Sequence, residues 1–418
     1  MAVVIKGSGS IEGSTGLEMG ANGATEIRGQ VNVALGSSVA GDSYTSGIST
    51  ASNFTPSSVP TGHRNLILNG AMKVAQYGTS QSAAGYGSLD RFNTSTNGND
   101  EHPTTAQVDV TSNDPGPWEK GFRKCLRITN GNQTGGAGVD DRIVIQYKIE
   151  AQDIANSGWD YTSSSSYITL SFWVKSHSVS QNFYGHFTSE DGTAQSYIFE
   201  TGTLSAGTWK NVKITIPGNS NITVDDNTAQ GFYIEWVLFR GTNKTAAGKA
   251  LNTWAAFDSS ARVPDMTSTY YTTNDAQWEM TGVQLEVGSV ATPFEHRSYT
   301  DELARCQRYY WRTSANNNEF FPGMGMADVD GNTVILNTQF PVRMRAAPSA
   351  LEQTGTASDY KIRRSTTQTC SSVPTFGHAT VDQAVTQFTK SSHGWGDGSA
   401  VRCVGGTSGA YLGWSAEL

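Results

Sequence analysis

Hydrophobic and polar residues alternate with a period of two in several stretches between residues 64 and 294. The four clearest stretches are bounded by glycine, asparagine or serine: DRIVIQYKIE (141–150), YITLSFWVKS (167–176), WKNVKITIPG (209–218) and GFYIEWVLFRG (231–241). Such alternation predicts strands of antiparallel sheets that each have one buried face. About eight strands of this kind over residues 63–297 predict an all-β central domain, a two-sheet sandwich of the jelly-roll type.

The stretch WEMTGVQLEVG (278–288) alternates with one slip. Trp278 and Met280 share one phase, whereas the apolar residues from Val283 onward share the other. A β-bulge at Gly282 would restore the phase and keep all of these side chains on the inner face. We therefore predict that a bulged strand closes the sandwich.

The pattern changes from strand to helix after this strand, at residues 298–312. Thr300 is the expected N-cap of a helix Thr300–Trp311, and Asp301 and Glu302 suit the positive end of the helix dipole. A helix of about three turns is marginal alone in water. The sequence therefore predicts a short connecting helix that packs at a domain boundary.

Residues 313–418 predict a separate, small β-sandwich that forms a tip. Its strand patterns are GNTVILNTQFPVRM (331–344), AVTQFTK (384–390) and AYLGWSAEL (410–418). His393, Trp395 and Tyr411 are candidates for exposed receptor contacts, although the same aromatic residues could hold the small core together.

Residues 1–62 are rich in glycine, serine, alanine and threonine, and Tyr44 and Phe54 are their only aromatic residues. A segment of this composition does not bury a core by itself. It is therefore either a flexible linker or an assembly segment in which identical chains complete one core.

Charge and cysteine content narrow the class of protein. The net charge of −8 and the lack of a basic stripe argue against a nucleic-acid partner. No apolar run is long enough to span a membrane, and no signal peptide is visible, so we expect a protein made without secretion. Cys370 and Cys403 could pair, but free thiols fit equally well.

Catalysis is not expected. The GDS sequence at Gly41–Ser43 resembles one esterase nucleophile block, but no aspartate three residues before a histidine accompanies it. The adjacent acids Asp140-Asp141 and Asp225-Asp226 fit turns or calcium ligands better than a glycosidase pair. The histidines show no metal-ligand spacing, so we expect no metal site and no cofactor.

Three segments resemble a recurring module of tailed-bacteriophage tail-fibre proteins. They are RNLILNGAMKVAQYG (64–78), LDRFN (89–93) and WEMTGVQLEVGSVATPFEHRSYTDELARCQRYYW (278–311). FPVRMRAAPSA (340–350) also resembles a segment that commonly follows in such fibres. The resemblance implies a lectin-like jelly roll similar to carbohydrate-binding modules, followed by a β-rich tip, in a homotrimeric fibre.

A sugar would be bound by aromatic faces beside hydrogen-bonding groups. By strand alternation, several such residues face away from the core. The ligand-binding candidates are Trp173, Tyr184, His186, Tyr233, Glu235 and, on the tip, Trp395. The alternative is that a loop, a helix or a trimer partner covers these side chains.

Together these observations predict a phage tail-fibre protein that attaches the virion to a host-surface polysaccharide or lipopolysaccharide. Residues 1–60 would join virion tail or neck proteins, and the chain would be made in the host cytoplasm and reside in the virion. The alternatives are a purely structural fibre or collar component, and a glycan-processing enzyme. The expected domains are residues 1–62, 63–297, 298–312 and 313–418.

Overall fold

The computed structural model describes residues 64–418, so the predicted assembly segment, residues 1–62, lies outside the described residues. The strands of the central domain are β1 (Ser80–Gln81), β2 (Asn93–Asn97), β3 (Thr104–Asp109), β4 (Lys124–Thr129), β5 (Arg142–Glu150), β6 (Tyr167–Ser176), β7 (Tyr184–Ser189), β8 (Gln195–Glu200), β9 (Lys210–Pro217), β10 (Gln230–Arg240), β11 (Trp254–Ala256) and β12 (Gln277–Val287). The helices are α1 (Ala151–Ala155), α2 (Thr269–Thr272) and α3 (Tyr299–Gln307), with short 3₁₀ turns at Thr242–Lys244 and Ala357–Asp359.

The central domain is a sandwich of two six-stranded antiparallel sheets. Sheet A has the order β1-β3-β4-β12-β6-β9, and sheet B has the order β11-β8-β7-β10-β5-β2. The inward side chains of β6 and β10, among them Phe172 and Trp236, are fully enclosed between the sheets. The predicted all-β sandwich is confirmed. It has more strands than predicted because short strands such as β1 and β11 carry too few residues to show a periodic pattern.

The predicted bulge is present in β12. The pairing of β12 with β6 runs in register from Trp278 to Thr281, shifts, and resumes at Gln284. Gly282 has a φ of 65°, a left-handed conformation that glycine adopts without steric cost. As a result Trp278, Met280, Val283 and Leu285 all enter the core.

The outer faces of the sheets differ from the expectation of one buried face each. Residues 241–268, between β10 and α2, fold over the outer face of sheet B. β11 lies within this segment and extends the edge of sheet B, where Asn252 N donates to Ile198 O and Phe257 N donates to Ala194 O, both at 2.8 Å. Val263 packs there with Val237 on β10. Strands β7, β8 and β10 of sheet B are therefore buried on both faces.

The connecting helix is shorter than predicted and begins earlier. Helix α3 spans Tyr299–Gln307, and its N-cap is Ser298, whose hydroxyl accepts a hydrogen bond from Asp301 N at 3.1 Å. The prediction of a helix to Trp311 was wrong, because Tyr310 and Trp311 begin a strand. The ring of Tyr310 stacks on Tyr77 of the central domain, with centroids 3.5 Å apart.

The residues after α3 form a second β-domain. Its strands are β13 (Tyr310–Ala315), β14 (Met324–Ala327), β15 (Thr333–Gln339), β16 (Glu352–Gln353), β17 (Tyr360–Arg363), β18 (Thr367–Thr369), β19 (Thr375–Ala379), β20 (Gln383–Thr389), β21 (Ala400–Gly405) and β22 (Ala410–Ser415). They form a three-stranded sheet, β13-β22-β16, and a seven-stranded sheet, β18-β17-β21-β14-β15-β20-β19. Leu336, Phe388 and Trp414 are fully buried in a core of this tip domain.

The motif segments of the central domain contribute buried polar residues. The amide of Asn65 donates to Val283 O at 3.0 Å, and its oxygen accepts from Leu285 N at 3.0 Å. The amide of Asn69 donates to Val74 O at 2.8 Å. The Asn65 bonds satisfy backbone groups of the bulged strand and the Asn69 bond satisfies one within its own motif, so these two motif asparagines are structural.

Three further features bear on the sequence expectations. All four cysteines are buried free thiols, including Cys370 and Cys403. Among residues 64–418, no helix is both long and apolar enough to cross a membrane. The same part of the chain contains no group of three His, Cys, Asp or Glu side chains arranged to hold a metal ion.

Candidate functional site

The six residues predicted to bind a ligand lie in three separate places. Tyr184, His186, Tyr233 and Glu235 share the outer face of sheet B, Trp173 lies on the outer face of sheet A, and Trp395 lies on the tip. The candidates therefore do not form one site.

The sheet B group is covered, contrary to the expectation that it faces solvent. His186 and Glu235 are fully buried, and His186 Nε2 lies 2.8 Å from Glu235 Oε2. Arg240 donates to the same carboxylate at 2.5 Å. Burial alone would raise the pKa of Glu235, but His186 and Arg240 together hold it well below its usual range. This arrangement is an internal ion cluster, in which Nε and Nη1 of Arg240 have no hydrogen-bond partner among the described residues.

The two tyrosines of the group are also held by packing. Tyr233 is 7% exposed, and its ring meets that of His186 edge to face with centroids 5.4 Å apart. Tyr184 is half-buried and packs against the apolar cluster beneath residues 241–268. A sugar does not reach His186, Tyr233 or Glu235 in this conformation, and a ligand role for the four stays a prediction.

The tip candidate Trp395 is half-buried. Its ring stacks on His393, with centroids 5.4 Å apart, and its backbone N donates to His393 Nδ1 at 3.1 Å. His393 itself is 3% exposed. This pair holds the loop before β21, and a contact of Trp395 with a ligand also stays a prediction.

Of the six predicted residues, Trp173 lines an open cleft. The Trp173 cleft has a volume of about 490 Å³ and lies on the outer face of sheet A, over strands β12, β6 and β9. Its lining comes from these strands and from two loops: Lys120, Phe122, Ser171, Trp173, Asn211, Lys213, Gly282, Ala291, Thr292, Pro293, Phe294 and His296.

One wall of the cleft is the segment 288–296, which is fixed by outward-facing side chains of β12. The buried carboxylate of Glu286 accepts hydrogen bonds from Thr292 N at 2.8 Å and from the Thr292 hydroxyl at 2.5 Å. The side-chain oxygen of Gln284 accepts from Glu295 N at 2.8 Å. The alternation that places apolar residues in the core thus places these two polar residues where they anchor the wall.

Aromatic rings line this side of the cleft. The ring centroids of Phe122 and Phe294 are 4.9 Å apart, and those of Phe294 and His296 are also 4.9 Å apart. Phe122 lies against Gly282, because a Cβ built on that glycine would be 2.6 Å from the Phe122 ring. The bulge therefore makes the space into which this ring fits.

The opposite side combines an indole with polar groups. Trp173 is half-buried and pairs across the sheet with Asn211. The side-chain oxygen of Asn211 is enclosed but accepts no hydrogen bond from any described residue. The exposed ammonium group of Lys213 lies two residues further along β9. An aromatic face next to an amide group and a cation can bind a polyhydroxylated ligand.

An ion network supports the rear of Trp173. The ammonium group of Lys175 lies 2.7 Å from Asp114 and 2.8 Å from Glu279, and the indole N–H of Trp209 donates to Asp114 at 2.9 Å. Burial alone would raise the pKa of Glu279, but nearby His177 and Lys175 lower it to about 2. The network stays charged at neutral pH and holds the 114–118 loop against the indole.

Sequence reasoning missed most of the cleft. The alternation of β9 places Asn211 and Lys213 on the face opposite Val212, which was a usable signal. The motif segment 278–311 contains Phe294 and His296, but no local pattern shows that they meet Phe122. On sheet B, the apolar residue Val237 in the outward phase of β10 was the signal that this face is covered.

No protein-family model matches the chain, and no curated protein matches it. Among solved structures, the chain is similar to the enzymatically active domain of tailspike protein 4 of bacteriophage CBA120, with a TM-score of 0.28 and 10% identity over 54% of this chain and 21% of that chain. It is also similar to the family 11 carbohydrate-binding module of Clostridium thermocellum in complex with a β-1,3-1,4-mixed-linked tetrasaccharide, with a TM-score of 0.25 and 10% identity over 51% of this chain and 98% of that chain.

A third similar structure is the CBM22-1 xylan-binding domain from Paenibacillus barcinonensis, with a TM-score of 0.23 and 9% identity over 51% of this chain and 94% of that chain. At these TM-scores and identities, the likeness assigns the chain no family, ligand or activity. The all-β sandwich is established by the two sheets themselves.

Proposed function

We propose that this chain binds a glycan in the Trp173 cleft and thereby attaches a phage tail fibre to its host surface. The observation that carries the proposal is that the Trp173 indole lines an open cleft together with its cross-strand partner Asn211 and with Lys213. The CH face of a sugar ring stacks on an indole, and the amide group of Asn211 and the ammonium group of Lys213 can donate to neighbouring sugar hydroxyl groups.

Binding without hydrolysis fits the cleft best. The lining, all of it within the described residues, contains lysine, histidine, asparagine and hydroxyl groups but no aspartate or glutamate. Glycoside hydrolysis ordinarily uses two carboxyl groups on either side of the scissile bond. The lining instead supplies groups that orient a saccharide.

Trp173→Ala is expected to weaken glycan binding by about tenfold to a hundredfold, because it removes the stacking surface and leaves the rest of the cleft in place. The measurement is titration calorimetry with the saccharide that the wild-type chain selects on an array of bacterial surface glycans.

Trp118→Ala is the matched control. Trp118 is half-buried, as Trp173 is, and packs in the same apolar cluster, but it does not line the cleft. The Trp118→Ala variant should bind the selected glycan with an affinity within about twofold of wild type. A wild-type chain that binds no glycan on the array would favour the structural fibre or collar component, and equal losses in both variants would assign the effect to folding.

The fibre role is supported by the resemblance of residues 64–78, 89–93 and 278–311 to tail-fibre modules. We place the protein in the virion, after synthesis in the host cytoplasm, as a homotrimer whose residues 1–60 join tail or neck proteins. The glycan would then be a polysaccharide or lipopolysaccharide of the host surface.

The full-length chain is expected to have a solution mass about three times the 44.8 kDa of one chain. The physical reason is that the glycine-rich N-terminal residues have too few apolar side chains to form a core within one copy. Light scattering coupled to size-exclusion chromatography measures this mass. A monomeric mass for the full-length chain would contradict the trimer, and a chain without residues 1–60 shows whether they carry the association.

A further inference from the structure

Three arginines line one cleft of the tip domain, far along the chain from the Trp173 cleft. Arg363 ends β17, Arg364 follows it, and Arg402 lies in β21. The tip cleft has a volume of about 590 Å³ and is also lined by Phe320, Met324 and Val401. All three arginines are exposed.

The guanidinium groups have no acidic partner. Within residues 64–418, none of the three forms an ion pair or a side-chain hydrogen bond, and the guanidinium group of Arg402 lies 4.6 Å from the centroid of the Phe320 ring. The cleft is lined by no aspartate or glutamate. In a chain of net charge −8, a cleft with three uncompensated positive charges is unusual.

The strand register brings two of these charges together. Arg363 and Arg402 are direct cross-strand partners in the β17–β21 pair, and both are exposed on the same face of the sheet. Like charges directly opposite each other destabilise an antiparallel pair. Folding alone therefore does not account for this placement, whereas an anion bound between the two side chains would turn the repulsion into attraction.

Apolar groups flank the arginines. Phe320 is 45% exposed and Met324 is 72% exposed. Met324 precedes Gly325, which pairs with Val401, so it lies beside Arg402 on the neighbouring strand. A ring face and a thioether next to guanidinium groups suit a ligand that has an apolar surface as well as negative charge.

We propose that the tip cleft is a second saccharide site, specific for sugars with carboxylate or phosphate groups. Arg363 and Arg402 would bind the anionic group through paired N–H donors, and Phe320 would stack on the sugar ring. The negative charge of the whole chain disfavours a nucleic acid, whose backbone would be repelled beyond the cleft. The proposal does not depend on the Trp173 cleft, because the two clefts share no residue.

Titration calorimetry of the full chain with three probes tests this proposal: trigalacturonate, the neutral galactose trisaccharide, and inorganic phosphate. We expect trigalacturonate or phosphate to bind, and the neutral trisaccharide to bind at least about tenfold more weakly than trigalacturonate. Preference for trigalacturonate would identify uronic acids as the natural group, and preference for phosphate would identify phosphorylated sugars.

Arg402→Ala and Arg363→Ala should each raise the dissociation constant of the better probe by about tenfold to a hundredfold. Their melting temperatures should not fall, because each variant relieves a like-charge contact. Arg343→Ala is the control, since Arg343 is exposed on the same domain, outside the cleft. Trp173→Ala should also leave the affinity for the better probe within about twofold of wild type.

Two results would overturn the proposal. One is that neither anionic probe binds the wild-type chain. The other is that Arg343→Ala weakens binding as much as Arg402→Ala, which would show that the anionic probe is attracted to positive charge anywhere on the domain. Loss of array binding in Trp173→Ala with unchanged trigalacturonate binding would separate the two sites.

Discussion

Gly282→Val is expected to lower the free energy of unfolding by about 2–4 kcal/mol. Gly282 has a φ of 65°, which a β-branched side chain adopts only under strain. A Cβ at this position would lie 2.6 Å from one atom of the Phe122 ring and about 3 Å from two more. Chemical denaturation followed by tryptophan fluorescence measures the loss. Binding in the Trp173 cleft should fall with it, because Phe122 forms the cleft wall.

Gly136→Val separates backbone strain from the contact with Phe122. Gly136 also has a positive φ, of 80°, but a Cβ there would meet no atom within 4 Å. We expect a loss of about 1–2 kcal/mol from backbone strain alone, with glycan binding unchanged. Equal losses in the two variants would show that the Phe122 ring moves aside freely, and that the bulge does not position the cleft wall.

The bulge was predictable because its signal is local. An extra residue in a strand reverses the phase of alternation, and the slip between Met280 and Val283 is visible in the sequence. The long strands β5, β6, β9 and β10 were predictable for the same reason, since their inner residues alternate without interruption.

The cleft was predictable only in part. Its floor follows from alternation along β6 and β9, which directs Trp173 and Asn211 outward. Its wall depends on contacts between residues far apart in the chain: Phe122 meets Phe294, and Glu286 fixes Thr292. Neither contact has a period or a spacing, so no local pattern indicates it.

The end of α3 was mispredicted because tertiary pairing overrode a local pattern. Tyr310 and Trp311 continue the apolar pattern of the helix, but both have high β-propensity. In the structure they pair with Ser415 and Trp414 of β22. The partner strand lies about a hundred residues further along the chain, so the sequence around Tyr310 holds no sign of it.

The role of the LDRFN motif (89–93) also could not be predicted from the local sequence. Arg91 is fully buried, and its guanidinium group lies 3.5 Å from the centroid of the Tyr309 ring and donates to Lys148 O at 2.6 Å. It also forms an ion pair with Glu417, whose side chain is 5% exposed. A motif residue of the central domain thus holds in place the residues that follow the last strand of the tip domain.

Arg91→Met is expected to lower the free energy of unfolding by about 3–5 kcal/mol, because it leaves the carboxylate of Glu417 buried without its cation. Methionine replaces much of the apolar part of the arginine side chain. The decrease in the free energy of unfolding therefore reflects the missing charge more than lost packing. Chemical denaturation measures it. Arg343→Met, at an exposed position, should change stability by no more than about 0.5 kcal/mol.

The double variant Arg91→Met/Glu417→Leu should recover at least about 2 kcal/mol of that loss. Nε of Arg91 and Oε1 of Glu417 are buried without hydrogen-bond partners among residues 64–418, so the pair is incompletely compensated. Replacing both charges with apolar groups removes that desolvation cost, whereas removing one charge leaves the other buried without an opposite charge. If the double variant is no more stable than Arg91→Met, Glu417 reaches solvent when the cation is lost. The C-terminal strand would then be held by other contacts, such as Arg345 Nε donating to Ala416 O at 2.7 Å.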